Sequence, residues 1–206
     1  MESFKKLLDI AQALHGPKGC PWDKEQTFLS LRPCLLEELH EVLEAVDEDN
    51  TKNMIEELGD LLFLIISYAM LGEKTKRFNF EDILKGISHK MIQRHPHVFG
   101  SAEVKNSREL IDQWERIKKE EKKERKSPLE GISKTLYPLA RAQKVLDKMS
   151  RLKFAFPTLQ EPSSSESRLG NSILKLIIDA HESGIDAESA LRGSLKRFEN
   201  ALEKEF

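Results

Sequence analysis

The residues best suited to chemistry are two pairs of carboxylates in consecutive segments of the chain. Glu38 and Glu41 form the first pair, and Glu57 and Asp60 form the second; the members of each pair are three residues apart. Side chains at this spacing lie on neighbouring parts of a helix face. Each pair borders an apolar stripe that faces the interior of a helical bundle. Antiparallel packing of the two helices would therefore bring four carboxylates together.

Four converging carboxylates require a cation, a shared proton or a basic partner. Two unit charges about 4 Å apart repel by about 4 kcal/mol at an effective dielectric constant near 20. Hard oxygen ligands on a helical scaffold favour Mg²⁺ or Mn²⁺, and Mg²⁺ commonly takes substrate phosphates as further ligands. Ordinary solvent-facing charges are one alternative. A di-iron site is another, because Glu37 and His40 form a Glu-x-x-His motif; such a site needs two motifs on different helices, and only one is present.

Candidate phosphate-binding and base-binding residues lie on both sides of the carboxylates. Lys90 and Arg94 are four residues apart, so both can project from one helix face towards an anion. Lys118 follows Trp114 at the same spacing, which couples a flat aromatic ring to a cation. Taken singly, these residues also suit surface charges and a core tryptophan. Trp22, in the loop GCPWD, could stack on a base or close the end of the bundle.

Histidine and cysteine do not suggest a transition-metal site. His95 and His97 flank Pro96, but no cysteine or third histidine accompanies them, so we expect a structural or capping role. Cys20 and Cys34 are too few for a disulfide framework, which favours a reducing cytoplasm. The sequence has no Walker loop, GxSxG motif or Rossmann fingerprint.

Helical periodicity dominates the chain and predicts an all-α fold. Pro33 lies either in the first turn of the third segment or at a kink, and the segment GPKGCPWDKEQT reads as a loop. The helix carrying the second carboxylate pair is apolar nearly all round, so we expect it at the centre of the bundle. The predicted helical segments are 2–14, 35–46, 55–69, 80–93, 107–123, 132–150 and 171–203, with a mobile loop at 161–167.

A domain boundary is predicted near residue 127, where the charged run KKEEKKERKS ends a helix. A weak internal repeat crosses it: Leu58-Gly59-Asp60 parallels Leu169-Gly170-Asn171. The copies differ in charge, because Glu57 aligns with Arg168 and Asp60 with Asn171. We therefore predict a site-bearing domain at 1–127 and a second, chemically different copy at 128–206.

Composition narrows the classes of protein. The chain has 206 residues with Lys+Arg 33 against Asp+Glu 35, so the net charge of -2 gives no reason to expect nucleic-acid binding. Its mean hydropathy is -0.50. The longest nearly apolar run, 61–71, falls far below the roughly 20 residues of a membrane span, and the start lacks a signal-peptide core. We expect a soluble, cytoplasmic protein without a membrane partner.

Several motifs together resemble the MazG family of nucleoside triphosphate pyrophosphohydrolases. They occur in order between residues 1 and 125: GCPWDKEQT, the EExxE cluster, EELGD, KMIQRHPHVFG, and the segment from Trp114 to Lys118. The stretch LARAQKVLDKMSRLKFAFP resembles the start of a second MazG repeat. That copy lacks its own EExxE and carries Arg168 and Asn171 in place of ExxD. The resemblance implies a contracted, metal-free second copy with a structural or dimer-forming role.

The resemblance implies an all-α, dimeric, Mg²⁺-dependent enzyme that splits NTPs or dNTPs into monophosphate and pyrophosphate, with a role in clearing aberrant nucleotides. A water at the site would attack the α-phosphorus, with Glu37 or Glu56 orienting it. A binding or regulatory module with an NTP–Mg²⁺ site and little turnover is the alternative. By position, the metal-binding and catalytic residues would be Glu38, Glu41, Glu57 and Asp60, and the substrate-binding residues Lys52, Lys90, Arg94, Trp114, Lys118 and Trp22.

Overall fold

The structure, a computed structural model, describes residues 2–121, 123–124, 127, 129–156 and 158–205. All regular elements in these residues are helices, which confirms the predicted all-α fold. The chain divides into two compact units, Met1–Lys118 and Lys119–Phe206. The helices are α1 Glu2–His15, α2 Pro21–Glu25, α3 Arg32–Asp47, α4 Thr51–Lys74, α5 Phe80–Arg94, α6 Pro96–Phe99, α7 Ser107–Glu121, α8 Pro138–Arg151, α9 Ser165–Glu182 and α10 Ala187–Glu203.

Helix α4 lies at the centre of the first unit, as its apolar pattern predicts. It packs against α1, α3 and α5. The second half of α4 supplies most of the buried core, including Leu64, Ile66, Ala69 and Leu71. The first half carries the second carboxylate pair and exposes apolar side chains: Ile55 is 71% and Leu58 53% exposed. This helix therefore anchors the core at one end and presents the carboxylates at the other.

A short connection sets the relative direction of α3 and α4. Only residues 48–50 separate the two helices, and two packed helices joined this closely run antiparallel. The Asn50 side chain accepts a hydrogen bond of 3.2 Å from the Asn53 main-chain N–H, which caps the first turn of α4. Pro33 lies in the first turn of α3, so it begins the helix rather than kinking it.

Two helices of the structure, α2 and α9, begin within segments that the sequence predicts as loops. The GPKGCPWDKEQT segment contains α2, which begins at Pro21 because proline is already set for a first helical turn. Ser164 and Ser167 form a capping box, so α9 begins six residues before the predicted start. Gly184, with φ +69°, lies in the turn that separates α9 from α10. The predicted linker lies partly outside the described residues.

In the described part of the second unit, helices α8, α9 and α10 pack against one another. Leu146 and Ile177 are its buried apolar residues among those described. The Gln143 side chain joins α8 to the start of α10: its amide donates to the Asp186 carboxylate at 3.0 Å, and its carbonyl accepts from the Glu188 N–H at 3.2 Å. Asp186 also accepts from the Ser189 N–H at 2.7 Å, so it is the N-cap of α10.

We expect Asp186→Ala to lower the free energy of unfolding by about 1 kcal/mol, because the first turn of α10 loses its cap. The hydrogen bonds from Ser189 hold the pKa of Asp186 below its ordinary value of 3.8. A lowered folded-state pKa adds stability above pH 3.8 that is lost as the pH falls through the folded value. Asp186→Asn, a cap of similar strength, should retain most of the stability at pH 7 and lose this acid dependence. Urea unfolding at several pH values tests both variants, and equal stability of Asp186→Ala and the parent would contradict the capping role.

No helix in the described part of the chain is both long enough and apolar enough to cross a membrane.

Candidate functional site

Helices α3 and α4 bring three of the four predicted carboxylates together. One carboxylate oxygen from each of Glu38, Glu41 and Glu57 lies within 4.8 Å of the other two. The spacing of three residues places Glu38 and Glu41 on one side of α3, and the antiparallel packing places Glu57 opposite them. Three oxygens at these separations can coordinate one ion.

Asp60 lies next to this cluster, one turn further along α4. It lines the same cavity as Glu38. Burial raises the pKa of Glu38 above its ordinary value, and the charges of Asp60, Glu41 and Glu57 raise it further. Partial burial also raises the pKa of Glu57, with a second contribution from Glu41. The site thus concentrates negative charge that nothing in the cluster compensates.

The donor set fits a hard divalent cation. The Oε2 atom of Glu38 is buried and has no hydrogen-bond partner among the described residues. An ionised carboxylate can only accept, so a buried oxygen without a donor is unfavourable unless a cation or proton satisfies it. Mg²⁺ and Mn²⁺ prefer oxygen ligands, and carboxylates supply only oxygen.

A cavity of about 170 Å³ adjoins the carboxylates within the first unit. Glu38 and Asp60 line it from α3 and α4, while His15, Trp22 and Asp23 line it from the end of α1 and from α2. Trp22 is 56% exposed and lines the cavity. The remaining lining residues are Gln26, Leu31, Cys34, Phe63, Leu64 and Ser67.

The turn after α1 places His15 against α2. The Gly19 N–H donates to the Gly16 carbonyl and the Cys20 N–H to the Leu14 carbonyl, both at 2.9 Å, so the chain folds back on the helix end. A Cβ atom at Gly19 would meet the Leu14 carbonyl oxygen at 2.0 Å. Only glycine fits this close approach.

Gly19→Ala is therefore expected to destabilise the protein by about 1–3 kcal/mol, the usual cost of forcing atoms into a packed position. Urea unfolding measures the loss. Gly86→Ala is the matched control: no atom lies within 4 Å of a Cβ there, and alanine suits a helix interior better than glycine. A loss confined to Gly19→Ala supports the close packing of this turn, whereas equal stability of the two variants contradicts it.

The predicted basic residues do not line this cavity. Lys52 is exposed in the first turn of α4, Lys90 is exposed on α5, and Arg94 is half-buried at the end of α5. The Lys118 ammonium lies 2.9 Å from the Glu115 carboxylate on α7. The role of these four side chains in phosphate binding stays a prediction.

Trp114 lies beside the turn between α5 and α6. The Trp114 and His95 rings meet edge to face, with the centroids 5.5 Å apart. Its Nε1 atom is buried and has no partner among the described residues, so this N–H could donate to a bound acceptor. The His95 ring nitrogen lies 2.6 Å from the Met91 carbonyl, and this contact at the end of α5 agrees with the capping role expected for His95.

Sequence reasoning missed His15 and Asp23. Both types of side chain carry chemistry, but His15 ends an amphipathic helix and Asp23 lies in a segment interpreted as a loop. The one sequence signal that could have identified Asp23 is its place directly after Trp22 in the GCPWD motif.

Part of the first unit matches a known family of protein domains. Residues 26–99 match the MazG nucleotide pyrophosphohydrolase domain. This range contains all four predicted metal ligands, as well as Lys52, Lys90 and Arg94, and it excludes Trp22, Trp114 and Lys118.

Similar proteins extend the relation beyond that domain. A nucleoside triphosphate pyrophosphohydrolase of Escherichia coli K12 is 36% identical over an alignment of 224 positions that spans 97% of this chain and 85% of that protein. The Thermotoga maritima nucleoside triphosphate pyrophosphohydrolase/pyrophosphatase MazG is 32% identical over 98% of this chain and 84% of its own length. The uncharacterized protein YabN of Bacillus subtilis is 46% identical over 143 residues, but this chain spans only 29% of it. The chain belongs to the MazG family, which confirms the resemblance seen in its motifs.

Proposed function

We propose that the chain is a nucleoside triphosphate pyrophosphohydrolase that converts NTPs or dNTPs and water into monophosphates and pyrophosphate. The observation that carries the proposal is the cluster of Glu38, Glu41 and Glu57, whose oxygens lie within 4.8 Å of one another inside the matched domain. The names of the E. coli and T. maritima relatives support the same reaction.

Mg²⁺ is the proposed cofactor, with Mn²⁺ as a substitute, and Glu38, Glu41, Glu57 and Asp60 are its proposed ligands. Such an ion, when bound, supplies positive charge against the phosphate oxygens and makes a nearby water more acidic. The buried, unpartnered Oε2 of Glu38 and the raised pKa values of Glu38 and Glu57 support this assignment.

The chain's own residues position the reacting groups. In the reaction, a water oxygen forms a bond to the α-phosphorus, the bond from that phosphorus to the bridging oxygen breaks, and a proton leaves the water. Glu37 and Glu56 are both exposed and flank the ligand positions on α3 and α4, so either carboxylate can orient the water and accept its proton. Helices hold such groups more precisely than loops do.

Cationic and aromatic side chains hold the triphosphate in this proposal. Lys52, Lys90, Arg94 and Lys118 supply positive charge, and Trp114 offers its buried N–H. Lys118 already pairs with Glu115, so phosphate binding there requires the ammonium to share or exchange its partner. Trp22 contributes an exposed aromatic ring at the cavity.

We further propose a cytoplasmic homodimer that clears unwanted nucleotides, without nucleic-acid or membrane partners. The apolar side chains that α3 and α4 expose beside the carboxylates, among them Leu39, Ile55 and Leu58, support association with a second copy. The segment 128–206 is proposed as a contracted, metal-free repeat. Asn171, at the position equivalent to Asp60, donates to the Gln160 carbonyl at 2.9 Å, which suits a structural role.

A product assay tests the proposal. Purified protein is incubated with Mg²⁺ and a panel of NTPs and dNTPs, and the products are separated by ion-exchange chromatography. Monophosphate with pyrophosphate supports attack at the α-phosphorus. Diphosphate with phosphate would place the attack at the γ-phosphorus and contradict the proposal. Nucleotide binding without any product would favour a regulatory module.

A further inference from the structure

Helix α2, which carries Trp22 to the cavity, is too short to be stable by itself. It spans only the five residues Pro21–Glu25. So short a helix forms few internal hydrogen bonds in return for the backbone freedom that it loses. The main-chain carbonyls of its last turn also lack partners within the helix, so other groups must bind them.

The Gln26 side chain binds one of these carbonyls. Its amide Nε2 donates to the Trp22 main-chain carbonyl at 2.8 Å. In a continuing helix that carbonyl would accept from the Gln26 N–H, which instead donates to the Asp23 carbonyl at 3.3 Å. The side-chain amide of Gln26 thus replaces a missing main-chain hydrogen bond at Trp22.

The loop after α2 holds the Gln26 side chain in turn. The Ser30 hydroxyl donates to Gln26 Oε1 at 2.6 Å, and Ser30 Oγ accepts from the Thr27 N–H at 2.8 Å. The Ser30 N–H donates to Thr27 Oγ1 at 3.0 Å. The next residue, Leu31, is 1% exposed and belongs to the core of the first unit. A connected set of hydrogen bonds therefore links Trp22 to a loop that the core anchors.

Trp22 and Gln26 both line the cavity, together with Glu38 and Asp60 of the proposed metal site. The cavity volume of about 170 Å³ lies below the roughly 300–1,000 Å³ of pockets that enclose a whole small molecule, so it suits one part of a nucleotide. Nucleobases stack on aromatic side chains, and Trp22 is 56% exposed. A base stacked on Trp22 would have its phosphates towards the carboxylates.

We propose that Gln26 is a positioning residue for nucleotide binding, because its hydrogen bond to the Trp22 carbonyl holds the indole ring where a nucleobase stacks on it. The inference rests on the proposed pyrophosphohydrolase function and adds a residue that the function itself does not use. A ring already held in place binds a base at a lower cost in conformational freedom. The base lies away from the reacting α-phosphorus, so loss of Gln26 weakens binding and leaves the chemical step unchanged.

Steady-state kinetics with ATP and Mg²⁺ tests this role. Gln26→Met keeps the length of the side chain and removes its donor and its acceptor. We expect KM to rise roughly 3- to 10-fold, the range for one neutral hydrogen bond, with kcat unchanged. Gln26→Glu can still accept from Ser30 but cannot donate to Trp22, so its KM should rise as well. Gln12→Met, exposed on α1, is the matched control and should retain both parent constants.

A double-mutant cycle shows whether Gln26 acts through Trp22. Trp22→Ala alone should raise KM roughly 5- to 150-fold, the range for loss of one base–aromatic stack. Added to Trp22→Ala, Gln26→Met should cause no further rise in KM, because no ring is left to position.

Fluorescence measures binding without turnover. The chain has two tryptophans, so Trp22 is the only one in a Trp114→Phe background. We expect α,β-methylene-ATP with Mg²⁺ to quench its emission. In this background Gln26→Met should raise the Kd of the analogue by the same factor as KM.

Each outcome supports or overturns the inference. A purely structural role would reduce the active fraction of Gln26→Met, which lowers kcat and leaves KM at the parent value. A rise in KM of equal size in the Trp22→Ala background would mean that Gln26 contacts the nucleotide directly. Either result, or the absence of quenching with Gln26 intact, would overturn the positioning role.

Two further readings keep the test decisive. Ser30→Ala frees Gln26 Oε1 without changing α2, and a milder rise in KM is expected from it even if Gln26→Met fails to fold by circular dichroism. Parent KM in a folded Ser30→Ala together with parent KM in Gln26→Glu would contradict the inference. Absence of monophosphate and pyrophosphate would instead contradict the proposed function, while the fluorescence titration still decides the role of Gln26.

Discussion

Glu57→Gln is expected to lower kcat by about 100- to 1,000-fold while the helical fold remains intact, the range found when one electrostatic partner of a transition state is removed. Glutamine has nearly the same shape as glutamate but lacks its charge. Glu57 is the member of the cluster that α4 contributes, within 4.8 Å of Glu38 and Glu41 on α3. Its loss leaves Asp60 as the one proposed ligand on α4, so that helix holds the cation less firmly. The measurement is the rate of pyrophosphate release at saturating Mg²⁺ and nucleotide.

Glu44→Gln is the matched control, because Glu44 lies one turn beyond Glu41 on α3 and is exposed outside the cluster. It removes the same charge from the same surface and should retain the parent rate. Circular dichroism must show equal helix content in both variants. Parent-like turnover by Glu57→Gln would refute its assignment as a metal ligand.

The carboxylate cluster could be predicted from sequence because helix geometry is local. A spacing of three residues fixes which side chains share a face, and Asn50 ends the connection at a recognisable cap. The apolar character of Leu64 to Leu71 similarly placed the second half of α4 in the core. These features depend on a few neighbouring residues and on one packing direction.

The far end of the cavity could not be predicted because it depends on tertiary contacts. His15 and Asp23 line the same cavity although eight residues and a turn separate them in the chain. That turn requires a glycine at position 19 for close approach to the Leu14 carbonyl, a constraint visible only in three dimensions. The start of α2 could not be predicted either, because Cys20 and Pro21 are compatible both with a loop and with the start of a helix.

Adding Mg²⁺ to metal-free protein is expected to raise the melting temperature of the parent. A ligand that binds only the folded state stabilises it by about 2.7 kcal/mol at 100 times its Kd.

Without metal, the raised pKa values of Glu38 and Glu57 mean that the folded state binds more protons than the unfolded state above pH 4.5. The free energy of unfolding of the metal-free protein should therefore contain a component that falls as the pH rises from 4.5 through the folded-state values. Differential scanning calorimetry in EDTA and in Mg²⁺ measures both effects.

The variant Glu41→Gln separates repulsion from metal binding. In EDTA it should melt above the parent, because Glu41 contributes to the raised pKa values of both Glu38 and Glu57 and its removal relieves that repulsion. In Mg²⁺ the order should reverse, since the variant has lost one oxygen of the cluster and gains little from the ion. Glu44→Gln should respond to Mg²⁺ like the parent. Only a site whose carboxylates are destabilising alone and stabilising with a cation gives this reversal; the same melting order in both buffers would show that the three carboxylates are ordinary surface charges.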